Sequence, residues 1–368
     1  MSTTTTDPSA IPPDAPQSQS PSHTPPPTQS KPKPRFHWFG ITLLALVAIT
    51  ILFFAGVFQR NPRVAMVTGE GKYWDLVIDG ANEAARQYDV NLTVVRSKPD
   101  EATQSQKLRD LIGKRYDGVA ISPVSPDTQV VVLAELANDT TVVTFDSDSP
   151  MSRRLCFVGT DNYTAGRLCG SYVRKALPDG GEVILSISNL DKENGRHRRQ
   201  GVIDELLDRP YQLEHPLDPP DAPPLGDKYK VLSTLIDRSD PAAATEMLAK
   251  ALAANPNVKC IVGLNAYSTP AILKALEQAQ KLGQVSVVGF DNAPETIAGI
   301  EAGHVFATVV QDQFEAGFHA VRILAENARG DKSGLPMFEK RTLPVEIVDK
   351  ENVFHLRGQL GATTKPST

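Results

Sequence analysis

Residues 140–150, TTVVTFDSDSP, decide how this chain is read. Val142, Val143 and Phe145 form a short apolar run of the kind that lies buried on both faces inside a parallel sheet. The run stops on two aspartates, Asp146 and Asp148, separated by a single residue. In open α/β sheets ligands bind at the carboxyl ends of the strands. A carboxylate placed there accepts hydrogen bonds from two hydroxyls at once, which suits a polyol better than a phosphate or an acid. Capping or turning the chain is the competing role for both aspartates.

Working outward, apolar strand-like runs recur at 64–68, 91–96, 118–123, 156–159, 182–187, 231–235, 258–263, 285–290 and 306–310. Helical periodicity fills the gaps between them. Over 74–88 the apolar positions are Val77, Ile78, Ala81, Ala84, Ala85 and Tyr88, and over 106–115 they are Leu108, Leu111 and Ile112. Repeated βα units predict parallel sheets covered by helices on both faces. About ten strands exceed one comfortable doubly wound domain, so the expected fold is α/β with two similar lobes. Residues 209–230 carry six prolines and read as a long surface loop.

The N-terminus differs in kind. Of residues 1–35, 22 are Pro, Ser or Thr, which predicts a disordered tail. Residues 36–58, FHWFGITLLALVAITILFFAGVF, run for 23 positions with His37 the only ionisable group. At about 1.5 Å per residue this crosses a hydrocarbon core of about 30 Å, so the segment reads as an uncleaved transmembrane anchor. A cleaved signal peptide is the competing reading, against which stand the length and the missing A-x-A site. Lys31, Lys33 and Arg35 before it, against Arg60 and Arg63 after it, lean toward the tail inside and the bulk of the protein outside. Residues 356–368 read as a second disordered tail.

The balance of 38 basic to 43 acidic residues gives no bias toward nucleic acid. Cys156, Cys169 and Cys260 form no disulfide framework and match no metal spacing; buried small hydrophobes are their default reading, with a Cys156 to Cys169 bridge left open. The seven histidines are scattered, and H-E-x-x-H, G-x-S-x-G and P-loop motifs are missing, so neither a metal, a cofactor nor a catalytic set is expected.

The ordered motifs GKYWDLVIDGANEAA, DGVAISPVSP, TFDSD, GTDNYTAGR, GRHRRQG, VGLNAYSTPAI, VVGFDNAP and ATVVQD resemble those of periplasmic sugar-binding proteins of the ribose-binding type, related to LacI-type repressor cores. The resemblance covers roughly residues 62–350. It implies a type I periplasmic binding protein, in which two Rossmann-like lobes joined by a hinge close on a monosaccharide. Lobe one is then 62–160 plus 312–341, and lobe two 161–311 plus 342–355.

The resemblance also implies a ligand site. Tyr73 and Trp74 take the place of an aromatic pair that stacks on a sugar ring, whose C–H faces are apolar. Asp146 takes that of an aspartate accepting ring hydroxyls, and Arg198 that of an arginine reaching in from lobe two with its fixed fork of donors. Asn265, Asp291 and Gln311 complete the implied set, with Asp148, Asp237 and Tyr267 as further candidates. Two departures stand out. Gly71 replaces an asparagine that bonds the sugar, and Ser147 replaces the arginine of the ribose binders.

Together these imply a membrane-anchored extracytoplasmic protein, monomeric, that captures a monosaccharide or similar polyol for an ABC-type permease. A ligand-sensing subunit of a membrane receptor is the first alternative. A transcriptional-regulator core is disfavoured because a membrane span stands where a helix-turn-helix belongs. A carbohydrate-active enzyme would need two carboxylates in unequal environments, for which the sequence offers no signal.

Overall fold

The computed structural model describes residues 38–54, 60–212, 216–222 and 226–354. The expected tails 1–35 and 356–368 lie outside the described residues, as do both ends of the expected span 36–58. Within that span runs helix α1, Trp38–Phe54, which belongs to a different compact unit from the rest of the chain. Its 17 residues extend about 25 Å at 1.5 Å per residue. Ile41, Leu43, Leu44, Leu46, Val47, Ile49 and Ile51 are all exposed. Among the described residues no helix is long and apolar enough to cross a membrane.

From Arg60 onward the chain makes strands and helices in alternation. The first stretch runs β1 (Arg63–Thr68), α2 (Lys72–Gln87), β2 (Asn91–Arg96), α3 (Glu101–Leu111), β3 (Gly118–Ile121), α4 (Val130–Asp139), β4 (Thr141–Phe145) and β5 (Cys156–Thr160). The second runs α5 (Asn162–Ala176), β6 (Gly181–Ile187), α6 (Glu193–Leu206), β7 (Tyr229–Ile236), α7 (Pro241–Ala254), β8 (Cys260–Gly263), α8 (Ser268–Gln278), β9 (Ser286–Phe290), α9 (Pro294–Glu301) and β10 (Ala307–Gln311). Then follow α10 (Gln313–Ala328), β11 (Lys340–Leu343) and β12 (Val345–Asp349).

The strands form two six-stranded sheets, ordered β11-β5-β4-β3-β1-β2 and β12-β10-β9-β8-β6-β7. All pairings are parallel except that of β12 with β10. The chain passes between the sheets three times, after β5, after β10 and between β11 and β12. The last passage falls at Pro344, two residues beyond the expected boundary at 341/342. Thr342 and Leu343 still pair with Gly159 and Thr160 in the first sheet, and Pro344 then stands between the two ladders.

Each lobe packs one close helix pair against its sheet. A side chain at Gly80 of α2 would put its Cβ 1.9 Å from the Phe314 carbonyl oxygen of α10, and one at Gly166 of α5 would lie 2.1 Å from the Arg198 carbonyl oxygen of α6. Only glycine admits so near an approach, and the second contact seats the helix that carries Arg198. The strand interiors are apolar and fully buried, as in Val64, Met66, Val143, Phe145 and Val158 of the first lobe and Val262, Val288, Phe290 and Val309 of the second. The three cysteines are buried and free. Burial pushes the Cys156 thiol up to about 11 and that of Cys169 to about 12, so both stay protonated packing groups.

Candidate functional site

Two strand ends build the cleft in the same way. Asp146 follows β4 with φ 60° and Asp291 follows β9 with φ 62°, both in the left-handed region that aspartate tolerates better than most residues. The Asp146 amide donates to the Val158 carbonyl of the neighbouring strand at 3.1 Å, and the Asp291 amide donates to that of Val309 at 2.7 Å. The turn of backbone after each strand aims the carboxylate off the sheet edge. Both side chains are buried. Strain of this kind persists where surrounding structure fixes it, commonly at binding sites.

Around Asp146 gather four donors. Tyr73 Oη lies 2.8 Å from Oδ1 and Ser122 Oγ 2.7 Å from Oδ2, both from the first lobe. Asn194 Nδ2 at 3.3 Å from Oδ1 and Lys192 Nζ at 3.4 Å from Oδ2 come from the start of α6 in the second lobe. Burial pushes this carboxyl up, but the charges of Lys192 and Arg198 and the bonds from Ser122 and Tyr73 outweigh it and hold Asp146 below the ordinary value. Burial, with the neighbouring Asp146 charge, pushes the Tyr73 hydroxyl well up, so it remains a donor.

Around Asp291 gather carboxamides. Gln311 Nε2 lies 3.1 and 3.3 Å from its two oxygens, and Gln313 Nε2 lies 3.1 Å from Oδ1. Burial pushes Asp291 up to about 6, a rise that the Arg198 charge opposes and the Asp146 charge adds to. Arg198 is buried and held at all three nitrogens, with N–H groups on both Nη atoms beyond the three bonds. Nε donates to Asn162 Oδ1 at 2.9 Å, Nη1 to the Leu264 carbonyl at 3.1 Å and Nη2 to Gln311 Oε1 at 2.7 Å, while the guanidinium lies 4.1 Å above the Phe290 ring centroid. Gln311 therefore ties Arg198 to Asp291 without direct contact between the two charges.

Beside this cluster, Asn265 Oδ1 accepts from the Ser188 amide at 2.8 Å, and the Tyr267 hydroxyl donates to Asp237 Oδ1. Burial pushes Asp237 up to about 6 and leaves its Oδ2 without a partner. Trp74 is half-buried, edge-on to Tyr73 with ring centroids 5.0 Å apart and planes at 84°. Tyr73 and Trp74 thus do not face each other as two slabs: neighbouring helical positions diverge by about 100°, and the Tyr73 hydroxyl is committed to Asp146. Trp74 alone offers a ring face, with the Lys192 ammonium 5.4 Å from its centroid.

One sequence candidate stands apart. Asp148 is buried against Arg154, whose Nε and Nη2 reach it at 2.6 and 2.9 Å, and it also accepts from Thr144 Oγ1 at 2.7 Å. Its oxygens serve the fold of lobe one rather than the cleft. Ser147, where an arginine was expected from ribose binders, keeps a buried Oγ without a partner. Five residues at the cleft escaped sequence reasoning: Ser122, Asn162, Lys192, Asn194 and Gln313. Ser122 sat inside the quoted motif DGVAISPVSP and was legible there. Lys192 and Asn194 lie in DKENG, which carries no local signal and acquires meaning only when α6 meets the first lobe.

Polar side chains from the carboxyl ends of two sheets, converging with an aromatic face, define a two-lobed ligand-binding protein. The chain belongs to the periplasmic binding protein family, whose domain model, described as periplasmic binding protein domain, matches residues 64–332. It is a binding protein and not an enzyme. It is similar to the D-allose-binding periplasmic protein of Escherichia coli K12, 26% identical over 308 residues that span 81% of this chain and 91% of that protein. It is also similar to the ribose import binding protein RbsB of the same organism, 24% identical and covering 79% and 93%. Among solved structures, an ABC transporter solute-binding protein from Burkholderia graminis in complex with D-arabinose superposes with a TM-score of 0.71 at 28% identity, covering 80% of this chain and 96% of that one.

Proposed function

We propose that the protein captures a monosaccharide or similar polyol between its two lobes and delivers it to an ABC-type importer on the extracytoplasmic side of a membrane. One observation carries this reading. Tyr73, Trp74 and Asp146 from one lobe and Arg198, Asp291 and Gln311 from the other present alternating acceptors, donors and a ring face around one cleft. That chemistry suits a ligand with hydroxyls at its rim and apolar C–H faces. The similar proteins named for allose, ribose and arabinose support the same ligand class. Ser147 and Gly71 stand where the resemblance places two side chains of a ribose site, so ribose itself is not carried over to this cleft as its ligand.

In this reading the segment 36–58 tethers the protein to the membrane with the two lobes outside. The apolar residues exposed around α1 support it. Calorimetry of the full-length chain against pentoses, hexoses and polyols tests the ligand class, with saturable binding and a negative heat-capacity change expected. Absence of binding across the panel refutes it. Release of the chain from membranes by carbonate or high salt, rather than by detergent alone, would refute the anchor.

A further inference from the structure

Lys192 does something at this cleft that the sugar reading does not require. It is the residue just before α6, its side chain is 14% exposed, and its ammonium lies 3.4 Å from both Asp146 Oδ2 and Ser122 Oγ and 5.4 Å from the Trp74 ring centroid. A carboxylate beside an aromatic face is the environment that stabilises a bound cation. Here the protein's own ammonium already fills it.

The lengths of the bonds to Asp146 say what gives way. A carboxylate offers about four lone-pair positions, and four protein donors occupy them. Tyr73 and Ser122, at 2.8 and 2.7 Å, belong to the same lobe as Asp146 and hold it in place. Lys192 and Asn194, at 3.4 and 3.3 Å, reach across from the other lobe and are the weaker pair. Two ligand hydroxyls that donate to Asp146, one to each oxygen, displace these two. The displaced ammonium stays tethered at the start of α6, still within the cleft, with three donors for a ligand oxygen and none of the capacity to accept.

We propose that Lys192 sets the charge selectivity of the cleft: it admits neutral ligands, or ligands with an extra acceptor oxygen, and rejects those carrying a protonated amine. An amino sugar would bring a second cation to a position where like charges a few ångströms apart are poorly screened. Neighbouring Arg198 adds to the same repulsion, and Asp146, already paired with Lys192, has no unmatched charge left to draw a second cation. This inference rests on the reading of the cleft as a sugar site.

The test compares the full-length wild type with Lys192→Gln and Lys192→Arg by calorimetry, using a panel of neutral hexoses and pentoses and the corresponding amino sugars. For the sugar that binds, the wild type and Lys192→Arg should prefer the neutral form over its amino counterpart by at least about 50-fold, and Lys192→Gln should narrow that preference by about tenfold or more. An equal preference in wild type and Lys192→Gln overturns the inference and leaves the sugar reading standing. If the wild type binds no neutral sugar, the sugar reading itself falls. Emission of Trp74 in the ligand-free chain, taken as a difference against a constant Trp38 background, then decides the placement of Lys192. A shift in Lys192→Gln with recovery in Lys192→Arg supports the ammonium at that ring face, and no shift overturns it.

Discussion

Asp146 and Asp291 hold equivalent places in the two lobes, yet their surroundings separate them. Each ends a buried strand in the left-handed region and bonds the adjacent strand through its amide. Asp146 meets two hydroxyls, an amide and an ammonium, which hold it below the ordinary carboxylate value. Asp291 meets only neutral donors at its oxygens, two carboxamides and the Gln311 backbone amide, so burial wins and carries it up to about 6. The difference teaches that one backbone device yields two kinds of acceptor. Asp146 is a fixed anion half of whose donors are exchangeable across the cleft. Asp291 is a carboxyl held by Gln311 of its own lobe and by Gln313 at the start of α10, and its charge depends on pH.

The sharpest way to break the comparison is to remove each carboxylate in turn. Asp146→Ala and Asp291→Ala should each lower ligand affinity by about 100-fold or more in calorimetry, since each loses charged hydrogen bonds worth about 1.5–3 kcal/mol apiece. Unchanged affinity in both would remove the proposed site. A pH series then separates the two residues. The folded-state value of Asp291 lies above its ordinary 3.8, so its contribution to stability is present at acid pH and is lost as pH rises toward and through about 6. Denaturant titrations of wild type and Asp291→Asn should therefore diverge between acid and neutral pH by on the order of 2 kcal/mol, the wild type losing ground. Asp146 is displaced downward, so its contribution is present at neutral pH and is lost as pH falls. Asp146→Asn should show the opposite slope. Parallel curves for both variants would contradict the contrast.

Smaller effects refine the walls. Trp74→Ala should weaken binding by about tenfold while the chain stays folded, because one ring face and its buried area are lost. Asp148→Asn should leave affinity within about twofold, since its carboxylate is spent on Arg154 and Thr144, but should lower the unfolding midpoint. A large affinity loss there would return Asp148 to the cleft.

Much of this was legible beforehand. The runs around Val143, Val262 and Val309 are buried on both faces of parallel sheets, so hydrophobic run length alone marked their strands. β11 and β12 escaped because KRTL and VEIVD lie at sheet edges with mixed burial, and no continuous apolar run announces them. The carboxylates at strand ends were visible as residues, but not their inequality.

Composition and periodicity by themselves determined that the chain makes repeated βα units, that carboxylates end two of its strands, and that an apolar segment precedes them. These are local properties, set by neighbours within a few positions. Tertiary structure alone decided that Asp148 faces Arg154, that Gln311 links Arg198 to Asp291, and that Lys192 reaches Asp146 across 46 positions of sequence. The reason is physical. A side chain's charge state and partners depend on which donors share its buried space, and that space exists only once two sheets, each built from distant segments, have been brought edge to edge.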